Sequence, residues 1–175
     1  MFFQKLKEIT TFIFDVDGVL TDGSVQVTES GESLRTFNIK DGYAMQLAVK
    51  KGYHFCIISG GDGIALRKRF LNLGISDIFL AAGDKVSIFN QYLKEKGITA
   101  SEVLYMGDDI PDLKVMKLVG LPTCPADAAE EIKAISTFIS PYNGGKMAAR
   151  DIIEKVMKVQ GRWHDENPNA ADSGK

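Results

Sequence analysis

The stretch Thr11-Phe12-Ile13-Phe14-Asp15-Val16-Asp17-Gly18-Val19-Leu20-Thr21-Asp22-Gly23 decides the fold. A strand-like apolar run ends in two aspartates, and the chain turns at once. Such a run, apolar almost throughout, suits a central strand buried on both faces. Asp15 and Asp17 stand two apart and share a face, so both can meet one cation. Without that cation their repulsion is costly. The C-terminal end of a strand is where ligand crevices open in α/β sheets, and a carboxylate there can serve as nucleophile or metal ligand.

Short apolar runs and helical patterns alternate along the chain. The runs predict strands over 11–16, 53–58, 77–81, 102–106, 119–123 and 137–139. Helical patterns cover 42–51, 61–73, 84–96, 110–118, 126–133 and 146–159. This alternation implies an α/β fold, a doubly wound, Rossmann-like parallel sheet with helices on both faces. Two further strand ends carry polar groups: Ile57-Ile58-Ser59-Gly60, and Val103-Leu104-Tyr105-Met106 running into Gly107-Asp108-Asp109-Ile110-Pro111-Asp112. Between them Gly83-Asp84-Lys85 opens a helix. Taken singly, each has an ordinary reading: Ser-Gly pairs make turns, lysines are solvated, and aspartates cap helices. Asp22 and Asp84 keep that reading. It does not explain aspartates repeated after apolar strands.

The order Asp-x-Asp, Ser, Lys, Gly-Asp-Asp-x-x-Asp resembles the haloacid dehalogenase superfamily of phosphohydrolases over roughly residues 8–160, and residues 1–160 read as a single domain. The resemblance implies a Mg²⁺-dependent phosphomonoesterase in which Asp15 is the nucleophile and forms an aspartyl-phosphate. Asp17 is then the general acid and base. Mg²⁺ is held by the Asp15 side chain, the Asp17 main-chain carbonyl and Asp108, with Asp109 and Asp112 in support. Asp112 orients the metal site or binds Lys85. Ser59 and Lys85 are the implied phosphate binders. Magnesium suits a site of few carboxylates plus phosphate oxygens, and phosphoryl transfer is mostly positioning and charge stabilisation.

Members of this family usually carry a cap domain after the first motif or between the second and third. Here the first insertion holds only residues 24–38, where Val25 and Val27, then Leu34 and Phe37, flank Glu29-Ser30-Gly31-Glu32. That is a β-hairpin flap with Gly in its turn, and there is no room for a cap. An isolated hairpin is marginal in water, so this one packs against something; the plain alternative is a surface ornament. The resemblance is to the capless sugar-acid phosphatases, in which a homotetramer shares sites between subunits. Matching stretches are Phe37-Asn38-Ile39-Lys40-Asp41-Gly42, Arg69 before Leu73-Gly74-Ile75, and Asn143-Gly144-Gly145-Lys146. They make Lys40, Asp41, Gly42, Arg69, Gly144 and Gly145 the implied substrate contacts. The chain departs from the pattern twice: Met147 stands where the tail motif has Gly, and Gly61 where many members have Arg. The implied substrate is the 8-phosphate of the eight-carbon acid 3-deoxy-D-manno-octulosonate, a precursor of lipopolysaccharide. A sibling group takes the nine-carbon KDN-9-phosphate but has Glu at the Gly61 position and lacks Lys40-Asp41-Gly42. A catalytically idle regulatory or oligomerisation module of the same fold is the other class; it predicts a lost Asp or Lys, and Asp15, Asp17, Lys85 and Asp108 are all present.

Composition is that of an ordinary globular protein. Hydrophobic residues make up 45% of the 175 and charged residues 25%, the ordinary soluble range. A net charge of −2 argues against nucleic-acid or membrane-surface partners. Cys56 and Cys124 form neither a metal spacing nor a disulfide framework; Cys56 reads as a core residue. No run reaches transmembrane length, and no basic segment precedes an apolar one at the N-terminus, so a cytoplasmic protein is expected. His54 and His164 have no Ser or Cys nucleophile motif to serve, and Gly60-Gly61-Asp62-Gly63 is not a nucleotide-binding fingerprint. The polar stretch 164–175 is expected to be disordered.

Overall fold

The computed structural model describes residues 2–164. Its elements in chain order are α1 (Phe2–Glu8), β1 (Thr11–Phe14), β2 (Gln26–Val27), β3 (Ser33–Leu34), α2 (Ile39–Lys50), β4 (His54–Ile58), α3 (Ile64–Asn72), β5 (Asp77–Phe79), α4 (Lys85–Lys96), β6 (Val103–Met106), α5 (Leu113–Met116), β7 (Leu121–Cys124), α6 (Glu130–Ile135), β8 (Phe138–Ile139) and α7 (Ala148–Val159). Among the described residues, six strands form one sheet in the order β5-β4-β1-β6-β7-β8, and every pairing is parallel. The chain winds from β1 outward through β4 and β5. It then crosses back to β6 on the other side of β1. This reversal opens a crevice at the C-terminal end of the sheet beside β1.

Alternation along each strand sends side chains to two cores. Phe12, Phe14, Phe55, Ile57, Leu104 and Met106 pack with α1, α2, α3 and α7. Ile13, Cys56, Ile58, Val103 and Tyr105 pack on the opposite face with α4, α5 and α6. All four residues of β1 are buried, as a central strand requires. Each large apolar side chain so buried contributes about 2 kcal/mol.

The flap is an antiparallel pair, Gln26 opposite Leu34 and Val27 opposite Ser33. Its turn is closed by Gly31, whose φ of 84° favours glycine. The paired strands are shorter than the 24–38 expected from sequence. Other boundaries move as well. The 61–73 helix begins at Ile64, because Gly61-Asp62-Gly63 stay in a loop. The 110–118 helix opens as a 3₁₀ turn, Ile110–Asp112, around Pro111. The 126–133 helix slides to Glu130–Ile135. Helix α1 was not expected; it is seven residues long and buries only Leu6. Of the polar stretch 164–175, all but His164 lies outside the described residues. Among the described residues no helix is long and apolar enough to cross a membrane.

Candidate active site

Three neighbouring strand ends deliver the polar groups to one cleft of about 480 Å³. Asp15 follows β1, Ser59 follows β4, and Gly107-Asp108 follow β6. The turn after β1 is held by its own backbone: the Val16 carbonyl accepts from the N–H groups of Val19, Leu20 and Thr21. The Thr21 hydroxyl accepts from Gly18 at 3.3 Å and Gly23 at 3.2 Å. At Gly18, φ is 82°, and an added Cβ would lie 1.9 Å from Asp108 Oδ2. Only glycine lets the two acidic loops come this close.

Asp15 is buried. Its Oδ1 accepts from the Val16 N–H at 2.6 Å and its Oδ2 from Lys85 Nζ at 2.6 Å. The same ammonium reaches Asp112 Oδ1 at 2.7 Å, where the Tyr105 hydroxyl also donates at 2.7 Å. Asp112 Oδ2 accepts from the Asp108 N–H at 3.1 Å. Asp112 is therefore a fully bonded scaffold that fixes Lys85 and the Asp108 loop, and Gly107 leaves room for it. Burial, reinforced by the nearby carboxylates, keeps the Tyr105 phenol neutral and donating. Ser59 is buried, and its Oγ accepts from the Gly61 N–H at 3.1 Å.

The electrostatics are those of crowded acids. Burial, then Asp112, push Asp15 up to about 6 even though Lys85 pulls the other way. Burial, then Asp112, Asp15 and Asp109, push Asp108 up to about 7. Burial opposes the Lys85 charge, but Asp15 and Asp112 outweigh it and raise its pKa. Carboxylate oxygens of Asp15, Asp108 and Asp112 all lie within 4.8 Å of one another. Hard oxygen donors, packed closely enough to resist ionisation, fit a small divalent cation. The side chain in this cluster is that of Asp112, not Asp17; the sequence reading gave Asp17 only its main-chain carbonyl as a ligand. The Asp17 carboxylate is instead held by Arg35.

The remaining expected residues go elsewhere. Asp109 is exposed at the rim and caps the following turn through Ile110. Asp22 and Asp84 are a turn former and the α4 cap. Asp41 is buried and accepts from the Arg150 N–H at 2.9 Å, tying α2 to the start of α7. Gly42 faces Arg69, where an added Cβ would lie 2.6 Å from the guanidinium. Lys40 is exposed. Arg69 lies under the flap, beside the Phe37 ring and facing an apolar cavity of about 240 Å³. Gly144 and Gly145 press on the turn after β1: a Cβ at Gly144 would lie 1.9 Å from the Gly18 carbonyl, and the Gly145 N–H donates to the Val19 carbonyl. The acidic cleft is thus lined by none of these six expected substrate residues. Arg35 and Tyr105 are the side chains bonded to the acidic residues that sequence reading passed over. Arg35 had a signal, being the sole basic residue between Ser24 and Asn38.

A family model described as haloacid dehalogenase-like hydrolase matches residues 70–146. The 3-deoxy-D-manno-octulosonate 8-phosphate phosphatase of Haemophilus influenzae is 33% identical over 159 residues, 91% of this chain and 88% of that protein. The chain belongs to the haloacid dehalogenase-like hydrolase family. Within the family, the Escherichia coli K12 phosphatase of the same name is 32% identical over 90% of this chain and 84% of its own length. A hydrolase of the same fold, the 3-deoxy-D-manno-octulosonate 8-phosphate phosphatase of Moraxella catarrhalis, was solved with magnesium ion, phosphate ion and KDO. It superposes with a TM-score of 0.89 at 33% identity, covering 92% of each chain.

Proposed function

We propose that this chain is a Mg²⁺-dependent phosphomonoesterase that releases phosphate from 3-deoxy-D-manno-octulosonate 8-phosphate. The observation that carries the reading is Asp15, buried and bonded to Lys85, facing Asp108 with Asp17 two residues on. An Asp15 oxygen attacks phosphorus in line, and the bond to the sugar oxygen breaks as Asp17 gives that oxygen a proton. Water then attacks the aspartyl-phosphate, Asp17 takes its proton, and phosphate and Asp15 are restored. Lys85 and Ser59 steady the phosphoryl oxygens. Asp15, Asp108 and the Asp17 carbonyl would hold Mg²⁺, which supplies Lewis-acid polarisation of the phosphoryl group.

Two features support the eight-carbon substrate and a shared site. A Cβ at Gly61 would stand 2.9 Å from Asp17 Oδ2, so a Glu there would set like charges together. The flap and its surroundings expose apolar side chains, Val27 at 72%, Ile39 at 80% and Ile64 at 77%, more than a free ornament needs. A closed cytoplasmic homotetramer buries them and walls an otherwise open cleft, with Arg69 and Lys40 as candidates to serve a neighbouring site. The test is phosphate release with Mg²⁺ from the eight-carbon and nine-carbon sugar-acid phosphates and from common phosphomonoesters. A higher kcat/KM for the nine-carbon ester, or release from none, contradicts the reading. Sedimentation of the wild type and of a 24–38 deletion tests the assembly: a monomer, or a deletion variant with unchanged specificity, refutes the shared site.

A further inference from the structure

Both oxygens of Asp17 are held by one side chain. Arg35 Nε lies 2.7 Å from Oδ1, and a terminal nitrogen lies 3.1 Å from Oδ2. The guanidinium arrives from the exposed flap, yet its side chain is only 11% exposed. Gly61 makes this possible. A Cβ there would come within 3.1 Å of the Arg35 terminal nitrogen, so a larger side chain would have to share that space.

The arrangement conflicts with the reaction. To pass a proton to the leaving oxygen, Asp17 must turn one oxygen toward it within hydrogen-bond reach. With both engaged by one fork, an approaching leaving oxygen competes with the guanidinium for Asp17. The cleft also lacks a second cation of its own. Five aspartates line it (Asp15, Asp17, Asp108, Asp109 and Asp112), and its one lining lysine, Lys85, is already bonded to two of them. A ligand carrying a phosphoryl group and a carboxylate brings two anionic groups to a cleft whose lining lysine is already shared by two aspartates. Arg35 stands at the cleft edge with N–H groups to spare, in a planar fork that matches paired anionic oxygens.

We propose that Arg35 is a substrate-binding residue of the flap. Its guanidinium passes from Asp17 to a pair of anionic oxygens on the ligand, freeing Asp17 and drawing the flap over the cleft. The proposal rests on the phosphatase reading above. Such a charge-assisted forked contact is worth about tenfold to a hundredfold in affinity.

The test uses the full-length Mg²⁺-loaded protein and the variants Arg35→Ala, Arg35→Gln and Arg35→Lys, with thermal unfolding to confirm the fold. Two ligands separate the sources of the anionic oxygens: inorganic phosphate has no carboxylate, and free 3-deoxy-D-manno-octulosonate has no phosphate. Calorimetric titration of Arg35→Ala and Arg35→Gln is expected to show at least a tenfold loss for one of them. Loss for phosphate assigns the phosphoryl oxygens, and loss for the sugar acid assigns the carboxylate. Arg35→Lys, a charge without the fork, is expected to lose less. Hydrogen exchange of the 24–38 amides is expected to slow on adding that ligand to wild type and to stay unchanged in Arg35→Ala. Affinities for both ligands within twofold of wild type overturn the proposal, as does a wild type that binds neither. A fall in kcat with KM and both affinities intact also overturns it, leaving Arg35 a brace for Asp17. A wild type that binds phosphate but hydrolyses no phosphomonoester sinks the phosphatase reading alone, because the binding data still decide the role of Arg35.

Discussion

Stripped of divalent cations, this protein is expected to lose stability as pH rises from 5 to 8, and Mg²⁺ is expected to remove most of the loss. The cause is the crowded acid cluster. Asp15 sits at about 6 and Asp108 at about 7, both above the ordinary aspartate value of 3.8, through burial first and repulsion second. Folded-state values above the unfolded ones mean that the native protein keeps protons the unfolded chain has already released. The stabilisation from those protons is complete below pH 3.8 and drains away as the pH climbs through the folded values. At about 1.4 kcal/mol per unit, Asp15 loses about one unit's worth above pH 5 and Asp108 about two, together about 4 kcal/mol. Asp108 is half-buried and part of the repulsion is shared, so about 3 kcal/mol is the expected net loss. For a chain of this size that is a drop in Tm of about 6–12 °C.

Thermal unfolding in EDTA and in millimolar Mg²⁺, at pH 5 and pH 8, measures it. Burial also raises Asp41, with the same sign but away from the cleft, so that part of the slope survives Mg²⁺. Asp22, Asp84, Glu102 and Glu154 are lowered and contribute no slope in this window. Asp108→Asn is the control: it is expected to raise the metal-free Tm at pH 8 and to remove most of the Mg²⁺ response, the usual cost of a functional charge cluster. A metal-free Tm that is flat or rises over the window refutes the reasoning. So does a Mg²⁺ stabilisation equal at the two pH values.

Asp15→Asn is expected to cut phosphate release by roughly 10⁴-fold or more, because the amide keeps the shape but is a poor nucleophile; retention of a tenth of wild-type kcat contradicts the assignment. Lys85→Met leaves the Asp15 and Asp112 carboxylates facing each other without the cation between them, so unfolding in EDTA is expected to show a loss of about 3 kcal/mol, smaller in Mg²⁺. Gly144→Ala drives a Cβ against the Gly18 carbonyl and is expected to cost about 1–3 kcal/mol and lower kcat together, whereas a purely distal glycine would leave kcat alone. Met147 has a φ of 80° at the start of α7; Met147→Gly is expected to stabilise by about 0.5–1 kcal/mol, left-handed strain relieved less the entropy of glycine, read as a rise in Tm.

What was legible in the sequence is what local pattern and strand ends dictate. β1 is buried at every position and apolar at all but Thr11 because both of its faces are covered, so its end, and Asp15 with it, could be found from the local pattern. The same logic located Ser59 and Asp108. Helix α1 was invisible because a seven-residue helix with one buried side chain has no period to detect. The shift of α6 to Glu130 has a similar origin, since its N-cap, Ala129, makes no side-chain cap bond to announce the start. The ion pair of Arg35 with Asp17 spans 18 residues of chain and a flap whose path no local rule predicts.

Glycines mark the deeper limit. A glycine in a pattern reports that something approaches closely or that φ is positive, but not what approaches. Gly144-Gly145 read as substrate contacts because they lie in a motif of sugar-acid phosphatases; in the fold they meet the main chain of Gly18 and Thr21. The two readings join through the turn after β1. Gly18 is squeezed between Asp108 on one side and Gly144 on the other, so the 144–145 loop sets how closely the turn that follows Asp15, the proposed nucleophile, approaches Asp108, the proposed metal ligand. A residue can thus belong to a catalytic motif by fixing the distance between two carboxylates while touching neither the substrate nor the ion, and the Gly144→Ala variant separates that role from direct contact by whether kcat falls with KM unchanged.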